Sequence, residues 1–435
     1  MFDAPYLPYD PIDKAGYTTV LKRWPVILTG IIDRIHRINH ELTLEAKNRD
    51  PATKAVLEEK ITEGKGIISR IGGLKYRMGG DKKLEAIVQD NEADVEIYNP
   101  ELTRLAASGK DSWYTAPWLY AEYRLLRSYI SQTTHWNAYD PFFAQKQETL
   151  QGSGVAIYQI ATTMDELESQ KATLESDPAK LEDLSLLTHL TPKDIAHLQT
   201  VGKDAQEARK EFILRDDQNA VWTHLKSLKE GRLDFVLDND LVFADFLVTY
   251  THYVSKVVFH PKLFPWFVSD VTPSDFTDLF DSLLSPTFFP NTESDLFAPE
   301  SQGHLATMVN RWKLYLASGT FALSVPENTQ LGAKNVMADF WTEPWPYWDM
   351  KGRAGELFRW LSSSQLVIFK WPVSTSFDTA VGPLAGSFPL LSLRTNKADV
   401  AVGIEQAVAD RLDRAGEAWR TSGRYALVSF LPKAE

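Results

Sequence analysis

The chain has 435 residues, 44% of them hydrophobic and 24% charged, with a formal net charge of −12 and no cysteine. That length exceeds one typical core and suits two or three domains of an ordinary globular protein. The lack of cysteine excludes disulfides, thiolate catalysis and cysteine-ligated metal centres, and the acidic balance argues against a nucleic-acid partner, which usually meets a basic face.

A small anionic substrate gripped by a few local Lys and Arg is compatible with this charge. The opening stretch MFDAPYLPYDPIDKAGY is acidic, is interrupted by Pro5, Pro8 and Pro11, and lacks a charged-then-apolar leader pattern. No apolar run approaches the ~20 residues of a membrane span. A cytoplasmic or nuclear protein without a membrane partner is the expectation.

In chain order, the first third reads as helical. Leu21, Trp24, Leu28, Ile31, Ile35 and Ile38 recur at steps of three and four, with Pro25 as a kink or a first-turn residue. A second helix is predicted over 51–71, ended by Gly72-Gly73, and a third in APWLYAEYRLLRSYISQTTHW. His36 and His40 share a helix face but have no further ligand nearby in sequence, so they read as surface or packing residues. The segment MDELESQKATLESDPAKLEDLSLL reads as a polar connection, and Thr191-Pro192-Lys193-Asp194 as a helix start. From about residue 213 short apolar runs alternate with helix-length segments: LDFVLDN, KVVFHPK, WFVSDVT, LVIFK, FPLLSLR and YALVSF. That alternation predicts an α/β fold with a mostly parallel sheet. The predicted division is a helical domain over 1–185 and an α/β domain over 186–435.

Ligands of such sheets bind beyond the carboxyl ends of the strands. Asp238-Asn239 follows LDFVL, His260-Pro261-Lys262 follows VVF, Asp270 follows WFVS, and Arg394 and Lys397 close FPLLSLRTNK. Thr272, two residues past Asp270, reads as a helix N-cap. Carboxylate and amide oxygens suit a hard divalent cation, Mg²⁺ or Mn²⁺, and neighbouring Arg and Lys suit phosphate oxygens. Each feature alone also fits an ordinary turn, cap or solvated charge. The chain carries no Gly-rich phosphate loop, no G-x-S-x-G elbow and no kinase motif set.

Taken in order, RWPVILTGIIDRIHR, WYTAPWLYAEYRLLRSYI, HWNAYDPFF, DFVLDN, DLVFADFL, VVFHPK, PWFVSDVTPSDF, DFWTEPWPYWDM, LVIFK and PLLSLRTNKADVAVG resemble the damage-control phosphatase family, formerly domain of unknown function 89. They resemble in particular its acidic-residue-methyltransferase-1-like branch. The resemblance implies a divalent metal, Mg or Mn, held by Asp238, Asn239 and Asp270, with Asp238 catalytic. It implies a helical amino-terminal domain packed on a Rossmann-like three-layer α/β/α domain, Lys397 on the substrate phosphate, and hydrolysis of small phosphorylated metabolites such as sugar phosphates. Arg394, by its place at the same strand end, is a further substrate-binding candidate. Two departures accompany it. The family's Gly-Phe-Glu-Leu element after the Asp-Asn pair is missing, so Asn239 runs into Asp240. A Gly-Asp-Leu-Asn-Tyr-Arg-Lys-Leu element after LVIFK is also missing, so Lys370 runs into Trp371. A smaller gap lies beside Arg124 and Arg127. Three activities stay open: a metal phosphatase with an altered site, a degenerate or recruited member acting by binding or other chemistry, and an S-adenosylmethionine-dependent carboxyl methyltransferase.

Overall fold

The computed structural model describes residues 21, 24–88, 94–117, 120–121, 133–176, 211–237, 240–265, 268–289, 299–343, 345, 347–369, 384, 386–396, 404–420 and 422–434. The amino-terminal part is helical, with α1 (Trp24–Ala46), α2 (Pro51–Gly79), α3 (Asp94–Ala107), α4 (Phe143–Gly152) and α5 (Gly154–Ser176). In α1 the expected stripe is buried at Trp24, Leu28, Ile31 and Ile35. Pro25 lies in its first turn, where a missing N–H leaves no helical bond unmade. Asp50 caps α2 by accepting from the backbone N–H of Ala52 and Thr53.

The expected break at Gly72-Gly73 does not occur, and α2 continues to Gly79. Each mid-helix glycine costs about 1 kcal/mol relative to alanine. Burial of Ile67, Ile71, Leu74 and Met78 in one cluster with the α1 stripe outweighs that cost. Of the third expected helix, only residues 120–121 are described as helical. The boundary placed near residue 185 and the helix start at Thr191 lie outside the described residues.

The α/β part carries a seven-stranded sheet: β1 (Ile213–Asp216), β2 (Gly231–Val236), β3 (Val254–His260), β4 (Phe321–Leu323), β5 (Leu366–Phe369), β6 (Leu390–Thr395) and β7 (Ala426–Leu431). Its order is β1-β7-β6-β5-β2-β3-β4. Every pairing is parallel except β6 with β7. The mixed α/β class and mostly parallel sheet agree with the sequence pattern.

Side chains alternate across the sheet with period two. Leu233, Phe235, Val257, Phe259, Leu366 and Ile368 face one core shared with α5 and with α6 (Gln218–Lys226), α7 (Leu241–Tyr250), α8 (Pro273–Leu284) and α9 (Pro299–Ser318). Val236, Val367, Phe369 and Leu390 face a second core. It is covered by the 3₁₀ turn Asp339–Thr342, by α10 (Met350–Arg353) and by α11 (Gly355–Ser362). A further helix, α12 (Gln406–Arg414), packs through Ala409 and Leu412 beside Trp419 and Tyr425. Among the described residues no helix is long and apolar enough to cross a membrane.

From β2 the chain steps outward through β3 to β4, then returns to place β5 on the other side of β2, followed by β6. The carboxyl ends of β2 and β5 therefore flank a topological switch point, the usual ligand crevice of open α/β sheets. One expected strand does not appear among the described residues. Val268 and Ser269, in WFVSDVT, form a turn leading to the loop residue Asp270, and Trp266 and Phe267 lie outside the described residues. The apolar character of this stretch serves packing instead. Val268, with Phe264, joins the amino-terminal helical core. Asp270 thus belongs to the connection between β3 and α8.

Candidate functional site

The switch point is approached first by β2. Its last ladder residue is Val236, and Leu237 then turns out of the strand with φ +60°. This left-handed conformation costs an L-residue roughly 1–2 kcal/mol. It is held by burial of the Leu237 side chain, 2% exposed, in the second core and by donation from Leu237 N to His260 O at 3.0 Å. Such strain gathers where the backbone is forced for a purpose. Asp238 and Asn239, the expected catalytic and metal-binding pair, follow directly and lie outside the described residues. The next residue, Asp240, is already the cap of α7, accepting from Phe243 N at 3.0 Å.

Beyond β3 the chain passes His260, Pro261 and Lys262. Lys262 N donates to Val271 O at 2.8 Å, closing the loop back on itself. Lys262 Nζ donates to Asp270 Oδ2 at 2.9 Å, and both side chains are buried. Asp270 is therefore fixed within two residues of a segment that also pairs with the exit of β2.

The far side of this segment is anchored by charge. Thr272, completely buried, precedes α8 as expected, and its N–H donates to Asp275 Oδ2 at 2.7 Å. Lys146 of α4 donates to the same Asp275 Oδ2 at 2.6 Å and to Asp140 Oδ2 at 2.7 Å. Burial works against the Lys146 ammonium, yet the two carboxylates outweigh it and raise its pKa above the ordinary value. Burial also pushes Asp140 up, opposed by Lys146. One lysine from the helical part thus ties down the start of the helix that follows Asp270.

Beneath the site, on the second-core face of β2 and β3, Asp234 accepts from His260 Nε2 at 2.8 Å, from Trp360 Nε1 at 2.8 Å and from Arg232 Nε at 2.9 Å. Burial raises the Asp234 pKa, but the His260 hydrogen bond and the His260 and Arg232 charges hold it below the usual carboxylate value. On the opposite flank, Arg394 is buried near the end of β6. Asn396 follows β6 and is fully buried, its N–H donating to Tyr425 O at 2.8 Å. Among the described residues the Asn396 side-chain amide has no hydrogen-bond partner. Lys397 and Lys370 lie outside the described residues. His36 and His40 are both exposed on α1, as surface residues should be.

Strand order brings these positions into line. Arg394 and Asn396 end β6, then come the ends of β5 and β2, then Asp270 beyond β3. The donor chemistry fits a hard divalent ion, since a buried carboxylate offers only acceptors. Among the described residues no group of three metal-ligating side chains occurs. Of the three expected ligands Asp270 alone is among those residues.

Comparison with known proteins places this architecture in a class. The model of the "Damage-control phosphatase ARMT1-like domain" matches residues 19–412, so the chain belongs to that family. It is similar to the protein named "Damage-control phosphatase ARMT1" from Danio rerio, at 29% identity over 95% of this chain and 94% of that protein. The protein of the same name from Xenopus tropicalis is 29% identical over 95% and 96% of the two chains, and that from Homo sapiens 26% identical over 96% of each. The alignment with the Danio rerio protein runs to 460 positions, more than the 435 residues of this chain, so the relative carries internal segments that this chain lacks.

Proposed function

We propose that this protein is a divalent-metal-dependent phosphatase of small phosphorylated metabolites such as sugar phosphates, with a narrowed substrate site. The observation that carries the reading is the burial of Asp270 beyond β3, beside the β2 exit at a topological switch point, in a chain of the damage-control phosphatase family. In the proposed site Asp238, Asn239 and Asp270 hold Mg²⁺ or Mn²⁺. Once bound, the ion polarises the phosphoryl group and offsets its charge. Asp238 is the catalytic carboxylate at the exit of β2. Lys397 and Arg394, at the end of β6, bind phosphate oxygens and orient the ester. Water adds to phosphorus, the ester oxygen leaves with a proton, and the products are an alcohol and inorganic phosphate.

The test is metal-stimulated phosphate release from a panel of sugar phosphates by the full chain and by Asp238→Ala. Release that needs Mn²⁺ or Mg²⁺ and disappears in the variant is the expected result; equal release by both proteins sinks the assignment.

A second reading, a member that binds metabolites without turning them over, is favoured by one observation. Only residues 237–240 separate β2 from α7, leaving no room for the family's acidic element after Asn239. Tight sugar-phosphate binding with no phosphate release would select it.

A further inference from the structure

We infer that Lys262 is a built-in counter-ion that occupies Asp270 before the metal arrives and competes with it. The inference rests on the reading of Asp270 as a metal ligand. Lys262 Nζ lies 2.9 Å from Asp270 Oδ2, with 4% of Lys262 and 1% of Asp270 exposed. A carboxylate this deeply buried needs a cation or several donors to stay ionised. Here the cation comes from the same loop, whose backbone is closed by the Lys262 N to Val271 O bond. The ammonium and a divalent ion therefore compete for the negative charge of one buried carboxylate, whichever of its oxygens the ion takes.

The type of cation matters. An arginine would grip the carboxylate through a planar fork, whereas a lysine offers a compact charge on a flexible four-carbon stem. Asp245, another deeply buried aspartate near the sheet, receives that rigid treatment from Arg311 Nε and Nη2 and from Trp312 Nε1. Asp270 receives the exchangeable kind. Lys262 thus gives the buried Asp270 carboxylate a partner in the metal-free protein, and it holds metal affinity below what the oxygen ligands alone would give.

Calorimetric titration of the full chain with Mn²⁺ tests this, with Lys262→Met, Lys262→Gln, Lys262→Arg and Asp270→Asn alongside wild type. Removing a unit positive charge at this range is expected to tighten Mn²⁺ binding at least about tenfold in the Met and Gln variants. Lys262→Arg, which keeps the charge, should bind no more tightly than wild type. Melting of the metal-free proteins should show Lys262→Met less stable than wild type, with a larger Mn²⁺-induced rise in Tm. The Gln variant keeps a polar partner for Asp270 and serves if the Met variant does not fold. Unchanged or weaker Mn²⁺ binding in both neutral variants, with wild type still dependent on Asp270, overturns the counter-ion role alone. If Asp270→Asn binds Mn²⁺ as tightly as wild type, or if wild type and both neutral variants bind none, the metal-ligand reading falls and takes this inference with it.

Discussion

Asp245, inside the helical layer, and Asp270, beyond the end of β3, are both almost wholly buried, at 0% and 1% exposure, yet their surroundings differ in kind. Asp245 accepts from Thr249 Oγ1, from both Arg311 nitrogens and from Trp312 Nε1, all carried on the packed helices α7 and α9. Asp270 sits on a loop, and its Oδ2 accepts from the flexible ammonium of Lys262. The first arrangement fills the carboxylate's acceptor sites with donors that cannot move apart without unpacking the core. The second neutralises the charge with a donor that can withdraw. Burial alone therefore does not distinguish the two carboxylates; the kind of donor that meets each one does.

The contrast can be broken most forcefully at Arg311. Arg311→Met leaves Asp245 buried without its ion partner and is expected to lower unfolding free energy by about 3–5 kcal/mol in urea titration. Adding Asp245→Asn should return part of that loss, because no uncompensated charge remains. At the other pole, Asp270→Asn should cut metal-stimulated phosphate release by roughly 10²–10³-fold, about 3–4 kcal/mol of barrier, in steady-state assays. Its effect on the urea midpoint should be smaller than that of Arg311→Met.

Lys146→Met probes the brace between the helical part and α8. It is expected to cost about 2 kcal/mol, since it strands the largely buried carboxylates of Asp140 and Asp275. A urea midpoint equal to that of wild type would show that the brace carries no load.

The smallest effect is a pH dependence at Asp234. Its pKa is lowered from the ordinary 3.8 in the folded protein, so its contribution is complete above that value and is lost as pH falls through the lower folded value. The stability difference between wild type and Asp234→Asn should therefore be constant above pH 3.8 and shrink below it. A difference that instead shrank toward neutral pH would reverse the sign of the shift.

What was legible in the sequence follows from which forces were local. The α1 stripe and the runs LDFVL, VVF, LVIF and LLSL could be read because burial imposes a period of three to four or a short apolar block. Gly72-Gly73 misled because the local cost of glycine was smaller than the burial of Ile71 and Leu74 against another helix. Val268 of WFVS misled because it packs on the amino-terminal helical core. The short strands β1 and β4 carry too few residues to show a pattern.

In the site, the importance of strand ends was readable, and Asp270 and Lys262 were each noticed as residues near such ends. Their pairing was not readable, because it depends on a loop that brings together positions eight apart in sequence. The Asp234–His260 contact spans 26 positions and two strands, and no local signal announces it.

The turn at Leu237 and the cap at Asp240 have one more consequence. Chain-closure entropy grows only with the logarithm of loop length, so doubling this four-residue connection would cost about 0.6 kcal/mol. Both ends are anchored independently, by the Leu237 to His260 bond and by the Asp240 to Phe243 bond. The junction between Asn239 and Asp240 is therefore a place where residues can be lost or regained while the sheet stays intact. Grafting Gly-Phe-Glu-Leu into it should leave the fold standing.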